Sequence, residues 1–125
     1  MKRVHVIGGK PVFFKSAQMK RAGETLAALL GPFVPDVPFD GPLTLSIRFV
    51  YPHLKATPKR DAGLWLPKVS APDCDNVGKS TVDLLASMRF IVNDARIARL
   101  SVEKWHGPES DVGIRIEIAQ WEQAA

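Results

Sequence analysis

Apolar positions change their period several times along the chain, and each change predicts an element. Arg3-Val4-His5-Val6-Ile7 alternates as a strand does, and Gly8-Gly9-Lys10-Pro11 breaks it. From Ser16 to Leu30 the spacing becomes helical: Met19, Ala22, Leu26, Leu29 and Leu30 form a stripe, Ser16 is the N-cap, and Gly31-Pro32 is the stop. Pro32, Pro35, Pro38 and Pro42 make residues 31–42 a surface connection, because proline suits neither a helix interior nor a central strand. Leu43 to Tyr51 alternates most clearly, with Leu43, Leu45, Ile47 and Phe49 on one face of a strand. A second helix is expected from Asp75, with Val77, Thr81, Leu84, Leu85 and Met88 as its apolar stripe and Asp75, Lys79 and Asp83 along another side. Arg96–Lys104 and Val112–Ala119 read as two strands joined through residues 106–110 as an antiparallel hairpin. The order β-α-β-α-β-β predicts a single α+β domain over residues 1–125: a compact mixed sheet of about four strands with two main helices on one face.

Composition narrows the class. A chain of 125 residues suits one core, and 46% hydrophobic with 24% charged residues is ordinary for a globular protein. No apolar run approaches the 18 or so residues of a membrane span and no signal sequence is evident, so the expectation is a cytoplasmic protein with no membrane partner. The one cysteine, Cys74, excludes an internal disulfide and fits a reducing compartment. Its position between Asp73 and Asp75 disfavours the thiolate, so packing explains it better than nucleophilic chemistry. His5, His53 and His106 stand alone in sequence and are not read as ligands.

Charge is distributed unevenly. Residues 1–72 hold eleven Lys and Arg against four acids, a net +7, whereas residues 73–125 hold six against nine, a net −3. A basic surface beside an acidic patch suits a protein that acts on a polyanion, because it offsets the repulsion between nucleic acid and carboxylates. The stretch 52–72 lacks its own periodicity and carries Lys55, Lys59, Arg60 and Lys68 with Trp65, which marks it as the expected DNA-gripping loop. Trp65 either stacks on unpaired bases or packs beneath the loop. Lys15, with Lys20 and Arg21, adds charge at the start of the first helix, where cations oppose the helix dipole unless an anion approaches.

The candidate chemistry lies in Asp73-Cys74-Asp75-Asn76-Val77-Gly78-Lys79 and in Asn93-Asp94. Carboxylates brought close together repel unless a cation or a proton sits among them. An all-oxygen set selects Mg²⁺ or Mn²⁺, and such ions retain water and bind phosphates. Asp73, Asp75 and Asp94 are then the expected metal ligands, on the expectation that the turn at Asn93-Asp94 returns beside the helix start, and Lys79 is placed to bind the phosphate. Simpler structural roles exist for the same residues. Asp73 or Asp75 is a suitable N-cap, worth about 1 kcal/mol; Asp75 and Lys79 make an i, i+4 pair worth about 0.2–0.5 kcal/mol; and Asn93-Asp94 is ordinary turn chemistry.

Residues 73–79, the apolar helix after them, and Phe90-Ile91-Val92-Asn93-Asp94-Ala95-Arg96-Ile97 together resemble the RusA family of Holliday junction resolvases. The resemblance implies a small homodimeric endodeoxyribonuclease that uses Mg²⁺ to nick paired strands at four-way DNA. It assigns Asp73, Asp75 and Asp94 to the metal and the catalytic role of a lysine to Lys79, with Asp83 and Asn76 in support. Three departures accompany it. Asn93 stands where many members have a second Asp, so that position is not an essential ligand. Met88-Arg89 replaces the Gly that commonly ends the helix. Gly8-Gly9-Lys10-Pro11-Val12-Phe13-Phe14 replaces an N-terminal Pro-Pro-Ser segment. The rival readings are a non-catalytic basic nucleic-acid-binding protein, a broader branched-DNA nuclease, and a phosphoacceptor domain; the absence of acids from residues 4–15 counts against the last. The setting implied is bacterial or phage-encoded within a bacterial host.

Overall fold

The computed structural model describes the backbone of residues 13–15 and the whole of residues 26–121. Within these it contains β1 (Phe13–Lys15), α1 (Leu26–Leu30), β2 (Leu43–Pro52), β3 (Leu66–Pro67), α2 (Cys74–Ser87), β4 (Ile97–Gly107) and β5 (Gly113–Gln120). The strands form one five-stranded mixed sheet in the order β1-β5-β2-β4-β3. The α+β class and the single sheet agree with the sequence. The strand expected at residues 3–7 and the start of the first helix, with Ser16, lie outside the described residues. The end of that helix is where Gly31-Pro32 places it, after Leu30.

β2 occupies the centre because its alternation supplies a fully apolar face: Leu43, Leu45 and Ile47 are buried, while Thr44, Ser46 and Arg48 point to the other side. Its neighbours present matching residues in register, Ile116 opposite Ile47 and Ile118 opposite Leu45 on β5, and Val102 beside Ile47 on β4. Leu30 of α1, Val82 and Leu85 of α2, and Phe90 and Ile91 close the same core, so both helices share one face of the sheet. At about 25 cal/mol per Å² this apolar burial is the main stabilising term.

The hairpin expected from β4 and β5 does not form. β2 inserts between them, parallel to β4 and antiparallel to β5. Local spacing suggested adjacency, but the apolar face of β2 pairs in register with both neighbours. The crossover between β2 and β4 occupies residues 53–96 and includes α2, as a parallel pair requires. The basic stretch within it is also less irregular than expected, since Leu66 and Pro67 pair with His106 and Trp105 as β3.

α2 begins at Cys74, one residue earlier than predicted, and its buried face is Gly78, Thr81, Val82 and Leu85. The expected stripe is therefore rotated; Val77, Leu84 and Met88 are only half-buried. The cause is Gly78. A Cβ there would stand 2.8 Å from Val102 Cγ2, so the missing side chain lets the helix backbone rest directly on β4. At the other end Arg89 takes the left-handed φ of 68° that the usual glycine would adopt. The Phe90 N–H donates to the Leu85 carbonyl (3.0 Å) and the Arg89 N–H to the Ala86 carbonyl (3.1 Å), which is a Schellman cap built on a non-glycine residue. An arginine where a glycine is the usual choice thus leaves the turn intact, at a local backbone cost of about 1–2 kcal/mol.

Two opposite shifts in urea midpoint are expected from these positions. Gly78→Ala destabilises the fold by about 1–3 kcal/mol through overpacking on Val102, although alanine favours a helix by about 1 kcal/mol. Arg89→Gly stabilises it by about 1 kcal/mol. A stable Gly78→Ala would show that the helix is not seated as described.

Candidate active site

The sequence Pro72-Asp73 turns the chain from an extended segment into α2. Asp73 is the N-cap by backbone, with φ −73° and ψ 145°, and its carbonyl accepts the Val77 N–H at 3.1 Å. Its carboxylate makes no cap hydrogen bond. Asp75, in the first turn, accepts only a short-range bond from the Asn76 N–H at 3.0 Å. Both side chains are exposed, as is Asn76, and neither carboxylate forms an ion pair among the described residues. Capping therefore does not use up their oxygens. Cys74 between them points inward, its Sγ 3.7 Å from the Val102 carbonyl, in the packing role expected of it.

Two carboxylates with unpaired oxygens, one residue apart at a helix N-terminus, offer hard donors without nitrogen or sulfur competitors. That donor set fits Mg²⁺ or Mn²⁺, which commonly bind one or two protein carboxylates together with water and substrate phosphate. Lys79 follows one turn along the same exposed side. Its Nζ lies 3.5 Å from Asp83 Oδ2, with the two side chains 77% and 56% exposed. The ion pair on this face is thus Lys79–Asp83 rather than Lys79–Asp75. A pair so open to solvent contributes little to stability, which leaves the ammonium available to another anion.

Asp94 is placed differently from the expectation. It opens a 3₁₀ turn, Asp94–Arg96, in which Asn93 Oδ1 accepts the Ala95 N–H at 2.8 Å. Asn93 is therefore a turn cap, consistent with its not being a ligand. Arg96 Nε ties the turn to Asp40 Oδ1 at 2.9 Å. This turn leads into Ile97, which pairs with Leu43 at the start of β2, whereas Cys74 lies beside Val102, five residues further along β4. Five residues of strand span about 16 Å. The turn does not bring Asp94 back beside Asp73 and Asp75 within one chain, because β4 runs between the two places. Among the described residues no three His, Cys, Asp or Glu side chains come together as a metal-holding group.

In the basic stretch, Lys55, Lys59 and Arg60 are exposed, the last two on a 3₁₀ turn, Lys59–Asp61. Lys68 is partly engaged: its Nζ lies 4.8 Å from the centre of the Tyr51 ring and donates to Ser70 Oγ at 2.8 Å. Burial first, and then the nearby Cys74 thiol, pushes the Tyr51 phenol above its usual range. Lys15 belongs by backbone to β1, opposite Gly113. Trp65 packs beneath the loop. Its Nε1 donates to Asp111 Oδ2 at 2.8 Å, its ring lies 6.1 Å from that of Trp105, and the Arg115 guanidinium stands 4.8 Å above it. Burial lowers the Arg115 pKa, with Arg48 adding to the effect and Asp111 opposing it. These contacts hold the tryptophan beneath the loop, the second of its two expected roles. His106 is buried, with Nδ1 2.9 Å from the Pro52 carbonyl, a structural bond rather than a ligand position.

Sequence reading missed Lys104. Its Nζ donates to the carbonyls of Ser70 at 2.7 Å and Pro72 at 2.6 Å, immediately before Asp73. A signal existed: Lys104 is two residues beyond Val102 on the strand side that packs under α2, where an apolar residue would be expected.

A comparison with protein families matches the model described as Endodeoxyribonuclease RusA over residues 2–118, nearly the whole chain. No curated protein matches the sequence. On that family match the chain belongs to the RusA endodeoxyribonucleases, divalent-metal-dependent Holliday junction resolvases.

Proposed function

We propose that this endonuclease acts as a homodimer and uses Mg²⁺ to place paired, symmetrical nicks in a four-way DNA junction. The observation that carries this reading is the pair of exposed carboxylates, Asp73 and Asp75, which form no ion pair among the described residues, in a chain of this family. These two residues would hold the cation. When bound, it activates a water and neutralises charge on the scissile phosphate. Lys79 brings an ammonium to the same face and meets the charge that develops on phosphate oxygens, while Asp83 keeps it extended over the helix. Asn76, exposed beside Asp75, supplies a neutral donor and acceptor at the rim.

A symmetric substrate cut on two strands favours two sites related by a twofold axis. The separation of Asp94 from the Asp73–Asp75 corner supports the same arrangement, with Asp94 reaching the corner of a second copy. Lys55, Lys59 and Arg60, together with Lys68 and Lys15, would contact the DNA backbone and provide affinity without base preference. Among the described residues no helix is long and apolar enough to cross a membrane. The proposed workplace is the cytoplasm of a bacterial host, whether the gene is chromosomal or phage-borne.

Asp75→Asn is expected to lower cleavage of a labelled four-way junction in Mg²⁺ by about 1,000-fold, the scale of losing a group that stabilises transition-state charge. Junction binding measured by gel shift stays the same or tightens, because a charge repelling phosphate has been removed. Substantial cutting by the purified variant would contradict the assignment.

A further inference from the structure

We propose that Lys104 is a positioning residue for the Asp73–Asp75 corner, an inference that rests on the metal-dependent reading above. The Pro72 carbonyl belongs to the peptide unit whose nitrogen is that of Asp73. An ammonium 2.6 Å from that oxygen fixes the plane of this peptide and with it the direction in which Asp73 leaves the backbone. The same ammonium holds the Ser70 carbonyl at 2.7 Å, so the turn is gripped at two carbonyls two residues apart, one on each side of Ala71. Main chain reinforces the side chain: the Lys68 N–H donates to the Lys104 carbonyl at 3.1 Å, extending the β3–β4 pairing up to the turn. Lys68 Nζ then secures the Ser70 hydroxyl.

Downstream of Asp73 the anchor is again β4, through Cys74 Sγ on the Val102 carbonyl and the Gly78 contact with the Val102 side chain. The two carboxylates are thus suspended between a fixed helix and a fixed turn, and the Lys104 side chain grips the turn's carbonyls on the Asp73 side. Its role is geometric. Charge-assisted bonds to two carbonyls are among the stronger kinds and hold the peptide before Asp73 in one orientation. Supporting groups of this kind typically change metal affinity or activity by about 10- to 100-fold when removed.

The test compares wild type with Lys104→Met, which keeps the aliphatic stem, and Lys104→Arg, which keeps the charge and the donors. Direct titration with Mn²⁺, followed by calorimetry, is expected to show binding weakened about 10- to 100-fold in Lys104→Met and largely restored in Lys104→Arg. Cleavage shifts to correspondingly higher metal concentration, while the gel-shift affinity for the junction changes less than about threefold. Amide hydrogen exchange provides a readout independent of activity: residues 73–77 exchange faster in Lys104→Met, and the β2 amides keep their protection. If wild type cuts no junction in divalent metal, the reading of function fails, and the exchange result still decides whether Lys104 orders the corner. Unchanged metal binding and unchanged exchange in Lys104→Met would overturn the proposal. Loss of junction affinity in proportion to loss of cleavage would also overturn it, by making Lys104 a DNA contact.

Discussion

The close approach of α2 to β4, which a glycine at position 78 permits, determines where the proposed site of this chain is presented. Because Gly78 rests on Val102, the first turn of the helix is held against the middle of β4, and Asp73 and Asp75 emerge at a fixed place on the surface. A side chain at position 78 would lift that end of the helix away from the strand. The turn before it is drawn to the same strand by Lys104. Packing and electrostatics thus act on one short segment from two sides, and β4 is the common support.

What the segment presents is an electrostatic liability in isolation. Two carboxylates separated by a single residue, exposed and without an ion-pair partner among the described residues, repel each other and any approaching DNA. The remainder of the chain answers this with the excess of Lys and Arg in residues 1–72, several of them exposed on the loop that runs directly into Asp73. That loop is not loose. β3 pairs it to β4, and Trp65 joins it to Asp111 and Arg115. In the proposed function, a basic surface held in register with an acidic corner would let phosphate approach while leaving the carboxylates to a cation.

Much of this was legible in the chain. The alternation of Leu43 to Phe49 revealed the central strand because one face of it is wholly buried, and Asp73, Asp75 and Lys79 stood out as the proposed site because two carboxylates and a lysine at helical spacing suit a divalent cation and a phosphate. Pairing of β4 with β5 misled because periodicity describes one strand at a time, whereas neighbours are chosen by the apolar face of β2. The helix stripe was rotated because a glycine contributes nothing to a hydrophobic pattern yet governs how closely the helix packs. Lys104 escaped notice because a lysine on a strand reads as solvent-facing, and its partners are backbone carbonyls that no side-chain pattern reveals. Position 94 was misjudged for a related reason: a turn after a helix is free in sequence to return, but here Ile97 is committed to pairing with Leu43.

The most direct test of the account concerns the two separated parts of the site. Dimers containing one Asp75→Asn copy and one Asp94→Asn copy, purified with different tags, should be assayed on a four-way junction beside the two parent homodimers. If each site draws Asp73 and Asp75 from one copy and Asp94 from the other, the mixed dimer retains one intact site and makes single nicks, while both parents are inactive. If all the ligands of a site belonged to one chain, neither half of the mixed dimer would be intact, and an absence of nicking there would contradict the account.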